Sequence, residues 1–268
     1  MTSPSVPPDH PRAESLRVRE KLIERYHEGV VASAGLIAHG RGEAFDYLMG
    51  EKTTGPALRA IEAAAAAIIT AKKPVISVNG NVVALAAEDV VKLSQVTGAR
   101  IEVNLYYRSL ERERAIKKIL ERAGASEVLG VGEDASARIP ELGSERRRVD
   151  PHGILVADVV LVPLEDGDRT ETLVKMGKRV IAVDLNPLSR TARKASITIV
   201  DNIIRATPKL TKTAGILRKQ GRKNPADILR NFDNKKNLAE SFALIHRRLL
   251  KLAKEKKHST LEDEKLDL

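Results

Sequence analysis

Apolar residues along this 268-residue chain fall into short continuous runs set between amphipathic stretches, the pattern of buried strands alternating with helices. Runs over 74–78, 100–105, 127–131, 158–164, 179–185 and 196–200 are predicted strands. Helices are predicted over about 86–96 (stopped by Gly98), 108–123 (stopped by Gly124) and 169–176 (before Gly177). Ahead of the first strand, Leu16, Leu22, Ile23, Tyr26, Val30 and Val31 recur at near-helical spacing between Glu14 and about Ala34. Gly35, Gly40 and Gly42 are expected to interrupt that helix, with a short one resuming at Glu43. Pro56 suits the first turn of an Ala-rich helix ending near Ala71. Residues 132–152 read as an irregular insertion, and the pattern from Ile203 onward is helical. Strands alternating with helices in this way predict an α/β fold, with a mostly parallel sheet, right-handed crossovers and flanking helices.

Charge divides the chain further. The formal net charge is +10, which alone would suggest a nucleic-acid partner. Residues 205–257, however, carry 16 Lys and Arg against 4 Asp and Glu, whereas residues 1–204 carry 29 against 28. The excess is thus confined to one segment, whose basic residues read mostly as a solvated helical face. The organisation expected is a flexible N-terminal arm over 1–13, which holds four Pro, and an α/β catalytic domain over 14–204. A basic helical segment over 205–257 packs on that domain, and 258–268 form a flexible acidic tail. Aromatic residues are only 3% of the chain and Trp is absent, which argues against an aromatic platform for single-stranded nucleic acid. Cys is absent, excluding disulfides, thiolate metal sites and a Cys nucleophile. The longest apolar run, 63–71, is too short to span a bilayer, and the Pro-rich beginning does not read as a signal peptide, so a cytoplasmic location is expected. Two Gln, three Met and a charged fraction of 31% suit a protein from a hot environment.

Candidate chemistry gathers where the apolar runs stop. Gly130-Val131-Gly132-Glu133-Asp134-Ala135 fits a loose dinucleotide pattern, but Pro140 and a charged stretch follow where a pyrophosphate-binding helix should begin. The strand ends are more informative, because ligands of open α/β sheets bind beyond the C-terminal ends of the strands. These ends read Asn79-Gly80-Asn81, then Glu165-Asp166-Gly167-Asp168-Arg169, then Asp184-Leu185-Asn186 running on to Ser189-Arg190-Thr191, then Asp201-Asn202. Any one of them alone reads as a turn or helix cap. Together they suggest a site. Asp184 can accept from ribose hydroxyls, while Arg190 and Thr191 can donate to phosphate. Glu165, Asp166 and Asp168 either cap a helix or offer hard oxygens to Mg²⁺. His39-Gly40-Arg41-Gly42-Glu43 reads as a turn in which glycines let the backbone approach an anion beside Arg41. His39 ranks below Arg41 as a catalytic candidate, and Arg19 alone reads as a solvated charge.

The strings from Gly35 to Tyr47 (GLIAHGRGEAFDY), Val78-Asn79-Gly80-Asn81, Val162 to Glu171 (VPLEDGDRTE), Asp184 to Arg190 (DLNPLSR) and Ile199 to Asn202 resemble the archaeal phosphopantothenate synthetases, the 4-phosphopantoate–β-alanine ligases. The likeness runs in order over roughly residues 10–210. It implies a Rossmann-like, homodimeric, cytoplasmic enzyme of coenzyme A biosynthesis that joins 4-phosphopantoate to β-alanine at the expense of ATP, without nucleic-acid or membrane partners. The route implied is an acyl adenylate, with AMP and diphosphate as products. Carried over by position, the ATP site comprises Arg19, Arg41, Asp184, Leu185, Asn186, Arg190, Thr191, Asn202 and Ile203. On that reading Arg41, Arg190, His39 and Asp166 are the catalytic candidates. Mg²⁺ falls to Glu165, Asp166 or Asp168, and the acyl substrate to Asn79 and Asn81, with Asn104, Tyr107 and Arg108 as further candidates. The competing readings are a nucleic-acid-binding protein using 205–257, or another nucleotide-dependent enzyme such as a kinase or oxidoreductase.

Overall fold

The computed structural model describes residues 7, 9–10, 12–220 and 224–263. Parts of the expected terminal arm (1–6, 8 and 11) and of the expected acidic tail (264–268) lie outside the described residues. In chain order the strands are β1 (Pro74–Val78), β2 (Arg100–Val103), β3 (Ala137–Arg138), β4 (Arg148–Val149), β5 (Val159–Pro163), β6 (Arg179–Val183) and β7 (Ile197–Ile199). The helices are α1 (Ala13–His27), α2 (Ser33–Met49), α3 (Gly55–Thr70), α4 (Gly80–Thr97), α5 (Leu110–Arg122), α6 (Gly167–Lys175), α7 (Arg190–Lys194), α8 (Ile203–Gln220), α9 (Pro225–Asn231) and α10 (Asn234–Asp263).

β1, β2, β5, β6 and β7 form one parallel sheet in the order β2-β1-β5-β6-β7, which is the Rossmann-like α/β arrangement. The strands are apolar almost throughout because both faces are covered. Successive side chains point to opposite faces, so Val159 and Leu161 join one core while Val160 and Val162 join the other. The first core holds α3, α4 and α8, and Ala63, Ala64, Ala65 and Ala67 let α3 pack closely there. The second core lies between the sheet, α6 and the 132–157 insertion. The basic segment after residue 204 contributes buried positions to this body: Ala206, Leu210 and Ala214 of α8, and Leu238 of α10 against Met49, Ala192 and Val200. No helix among the described residues is long and apolar enough to cross a membrane.

Three local expectations need correction. The glycines at 35, 40 and 42 do not end the first helix. The break falls instead at Gly29, whose φ of +75° suits a residue without Cβ, and α2 runs unbroken through all three glycines to a left-handed cap at Gly50. Tertiary pins at both ends of α2 outweigh the helix propensity lost at the glycines. Second, of the two readings open for Asn79-Gly80-Asn81, a turn or a helix cap, the structure shows the cap, and the helix starts earlier than expected. The Asn79 side chain accepts from the Val82 N–H at 3.1 Å, and α4 begins six residues before the periodicity suggests, kinked at Ala86. Third, 127–131 makes only an isolated parallel bridge between Glu102 and Leu129.

Candidate active site

The strand order reverses between β1 and β5, and a crevice opens at such a switch point beyond the C-terminal strand ends. β1 delivers Asn79, and β5 delivers Leu164, Glu165 and Asp166. Asn79 spans the two, its Nδ2 donating to the Leu164 carbonyl at 3.0 Å. Leu164 is held at φ +52°, the left-handed region that a Leu rarely occupies, with its N–H on the Val183 carbonyl at 3.1 Å.

Helix α2 lies along this edge and is fastened to it at three places. Near its start Gly35 meets α4, its carbonyl accepting from Asn81 Nδ2 at 2.8 Å, and a Cβ on Gly35 would come within 2.2 Å of Asn81 Oδ1. Midway, Gly42 faces Leu185, and Arg41 is close enough to Asp184 for its charge to stabilise that carboxylate. At its end buried Asp46 binds Arg205 at 2.5 Å and Asn202 Nδ2 at 3.0 Å. Asp201 completes that anchor by accepting from Thr53 Oγ1 at 2.7 Å and pairing with Arg205 at 2.8 Å. Arg41 is therefore a mid-helix side chain. Its flanking glycines do not form the anion-binding turn expected of them, because their amides are committed to the helix.

The structure brings together most of the residues expected at a nucleotide. Asp184 sits at the end of β6, accepting from the Asn186 N–H at 2.9 Å and from Ser189 Oγ. Burial pushes its carboxyl above the usual range, against those bonds and the Arg41 charge. Thr191 ties α7 to the end of β5 through a 2.8 Å bond to the Glu165 carbonyl. The Asn202 side chain is occupied by Asp46 and by the Ile204 N–H, while Ile203 is buried as the first residue of α8. What these two can present to a ligand is backbone at a helix start. Arg19 of α1 reaches Glu43 of α2 at 2.8 Å, and Tyr47 donates to the same carboxylate at 2.6 Å. Burial works to raise the Glu43 carboxyl, but the Arg19 and Tyr47 bonds hold it below the usual carboxylate range. Burial lowers the His39 imidazole, favouring its neutral form. Arg190 is more exposed, pairing with Glu171 at 2.7 Å. Arg190, Lys194 and Lys175 together hold that glutamate down to about 2.

The expected metal ligands are engaged otherwise. Glu165 is buried between two arginines, Arg146 at 2.9 Å and Arg169 at 2.5 Å, and Asp166 takes a second bond from Arg146 at 2.7 Å. Asp168 is exposed in the first turn of α6. Among the described residues no group of three or more His, Asp or Glu could hold a metal ion. Carboxylates already neutralised by guanidinium do not fit the oxygen set that Mg²⁺ needs, so this cluster is an ion-pair network and not a metal cage.

The acyl-side candidates also separate. Asn79 and Asn81 lie in the crevice, but as described they tie elements together. Asn104 is fully buried and holds the insertion, its Nδ2 bonded to the Arg146 and Arg148 carbonyls at 3.1 and 3.0 Å. It therefore acts on the site only through that loop. Arg108 is buried with Glu113 and bonds the Gly130 carbonyl at 2.7 Å, whereas Tyr107 is exposed. Sequence reasoning missed Glu43, Asp46, Arg146 and the buried role of Arg169. The clue for Asp46 and Arg169 lay in their place within the long matched strings.

Comparison with known proteins agrees with this architecture. Residues 56–248 match the family model described as phosphopantothenate/pantothenate synthetase. A 4-phosphopantoate–β-alanine ligase of Thermococcus kodakarensis is 52% identical over 252 residues, which cover 94% of this chain and 96% of the relative. A ligase of the same name from Methanosarcina mazei is 51% identical, covering 93% and 98%. With that coverage and a sheet edge carrying the matched strings, the chain belongs to the phosphopantothenate/pantothenate synthetase family.

Proposed function

We propose that this protein is an ATP-dependent ligase that condenses 4-phosphopantoate with β-alanine to 4′-phosphopantothenate in coenzyme A biosynthesis, acting in the cytoplasm as a homodimer. The observation that carries this reading is the near-full-length identity to ligases of that name. The geometry supports it by offering polar loops for a nucleotide at the ends of β6 and β7, beside a crevice at β1 and β5.

In the reaction the acid's carboxylate oxygen attacks the α-phosphorus of ATP. The bond from that phosphorus to the bridging oxygen breaks, and diphosphate leaves. The β-alanine amine then attacks the acyl carbon, AMP departs with the bonding pair, and the nitrogen loses a proton. This is chiefly work of positioning and charge neutralisation. Arg41, from α2, faces the loop after β6 and supplies charge to the phosphates, and Arg19 is aimed by Glu43 and Tyr47. Arg190 adds charge after leaving Glu171. Asp184 accepts from the ribose, Leu185, Asn186 and Thr191 shape the loop, and Asn202 and Ile203 offer the start of α8. Neutral His39 is suited to accept the amine proton. Asp166 contributes by fixing Arg146. Bound Mg²⁺ would neutralise charge on the departing diphosphate, and among the described residues no set of carboxylates is arranged to hold it.

Product analysis tests the reading. With ATP, 4-phosphopantoate and β-alanine, AMP and diphosphate are expected in equal amounts, with diphosphate exchange into ATP that requires the acid. Formation of ADP would instead indicate a kinase-like route and overturn the adenylate. Sedimentation at working concentration checks the dimer, and titration with duplex DNA or RNA at low salt checks the expected lack of nucleic-acid binding.

A further inference from the structure

A second concave surface lies at the other end of the sheet. Lys72, Lys73, Arg100 and His152 line a cleft of about 260 Å³ at the N-terminal ends of β1 and β2, with Val75 and Val156 among its apolar walls. β1 is five residues long, so this cleft is roughly 15 Å from the crevice at the opposite strand ends. Its backbone is held in place. The Lys72 and Lys73 amides donate to the two Asp158 carboxylate oxygens at 2.7 and 2.8 Å. Arg100 is clamped by Glu127 at 3.0 and 2.9 Å, and its Nη1 donates to the His152 carbonyl at 2.8 Å.

That bonding leaves the charge unbalanced. Both Asp158 oxygens are turned to backbone amides; burial works to raise this carboxyl, but those donors hold it below the usual carboxylate range. Glu127 is taken by Arg100. Among the described residues the Lys72 and Lys73 ammonium groups have no ion-pair partner, and no carboxylate lines the cleft. A cleft lined by one sign of charge, with low-dielectric walls, concentrates counter-ions. We infer that it binds a small phosphate monoester, the phosphate between Lys72 and Lys73 and the carbon portion against Val75 and Val156. An ammonium is a compact point charge with three donors, suited to phosphate oxygens. The volume falls below the roughly 300–1,000 Å³ of sites for larger ligands, so the cleft is too small to enclose a nucleotide. None of its residues belongs to the loops or the crevice of the proposed reaction. Pro151, His152 and Val156 belong to the insertion, so an occupant ties that insertion to the turn between α3 and β1.

Calorimetric titration of the full chain with glycerol 3-phosphate tests this, with succinate as a carboxylate control. Wild type is expected to bind the phosphate ester more tightly than succinate, and to melt at a higher temperature in its presence. Lys72→Gln combined with Lys73→Gln should raise Kd about tenfold or more, whereas Lys72→Arg with Lys73→Arg should stay within about threefold of wild type. Both lysines are exposed, so the variants should melt as wild type does without ligand, and AMP formation should be unchanged. Equal Kd in wild type and the Gln variant would overturn the inference, as would no wild-type binding up to about 10 mM. Equal binding of succinate would reject the phosphate assignment. Displacement of the ester by saturating ATP would place it in the nucleotide site instead and likewise overturn the cleft.

Discussion

Replacing Glu165 with Gln removes the one negative charge that two buried guanidinium groups share. The Glu165 side chain is 1% exposed, Arg169 is 1% exposed and Arg146 is 7% exposed, so water cannot take the carboxylate's place. Arg146 keeps Asp166, but among the described residues the one hydrogen-bond partner left to the Arg169 side chain is the Ser77 hydroxyl, at 3.2 Å. Breaking a buried pair by removing one partner costs about 3–5 kcal/mol, because an uncompensated charge stays behind. At about 2–4 °C per kcal/mol for a chain approaching this size, the melting temperature should fall by roughly 6–20 °C. Scanning calorimetry with reversible unfolding reads this directly. Glu165→Met combined with Arg169→Met removes the stranded charge together with its partner and should recover most of the loss. A Glu165→Gln loss below about 1 kcal/mol would refute the reasoning, since that is the worth of an exposed pair. Unchanged melting with a raised Mg²⁺ requirement would instead restore Glu165 as a metal ligand.

Other perturbations probe separate parts of the edge. Glu43→Gln loosens Arg19, which is 40% exposed, so melting should barely change while KM for ATP rises by about threefold to tenfold. An unchanged KM for ATP would remove Arg19 from the nucleotide site. Gly40→Ala and Gly42→Ala should each stabilise by about 0.5–1 kcal/mol in urea unfolding, because α2 is helical there and an added Cβ meets nothing at 40 and only Leu185 at 3.8 Å at 42. Destabilisation by both would contradict a continuous α2. Burial raises the Glu102 carboxyl to about 7, outweighing the Asp150 and Ile154 N–H donors. Its folded value lies above the unfolded one, so its contribution is fully present below about pH 4.5 and is lost as pH rises through 7. With roughly 1.4 kcal/mol lost for each pH unit between those two values, the total is about 3 kcal/mol, and Glu102→Gln should flatten that part of the stability-against-pH curve. An identical slope in both proteins would dismiss Glu102 as the titrating group.

The sheet was legible because its strands are apolar runs ending in polar residues, and five such runs became the five parallel strands. The 127–131 run misled because apolar composition does not reveal whether a neighbour has backbone free to pair; only Leu129 found one. Glycines at 35, 40 and 42 misled in the opposite sense. Local propensity opposes a helix there, and the anchors at Asn81 and Asp46 that override it are remote in sequence. In the site, Asp184, Asn186 and Thr191 stood out because each follows an apolar run or starts a helix. Arg146 and Glu43 did not, since charged residues in a helix or a polar insertion read as surface until the fold buries them. Arg19 was visible only through the family resemblance, because its meaning depends on Glu43, 24 residues away.

The order β2-β1-β5-β6-β7 carries an implication for how such an enzyme changes over time. The chain crosses from one half of the sheet to the other once, between β2 and β5. Everything that follows β1 and β2, including the insertion bearing Arg146 and Arg148, is therefore encoded in one uninterrupted stretch, 79–149. The loops proposed for the nucleotide are encoded in another, 164–203. Helix α2 is tied to both, through Asn81 in the first and Asn202 in the second. On the ligase reading proposed above, a descendant could rewrite the first stretch while inheriting the second unchanged, so the two halves of the edge are separable by inheritance as well as in space.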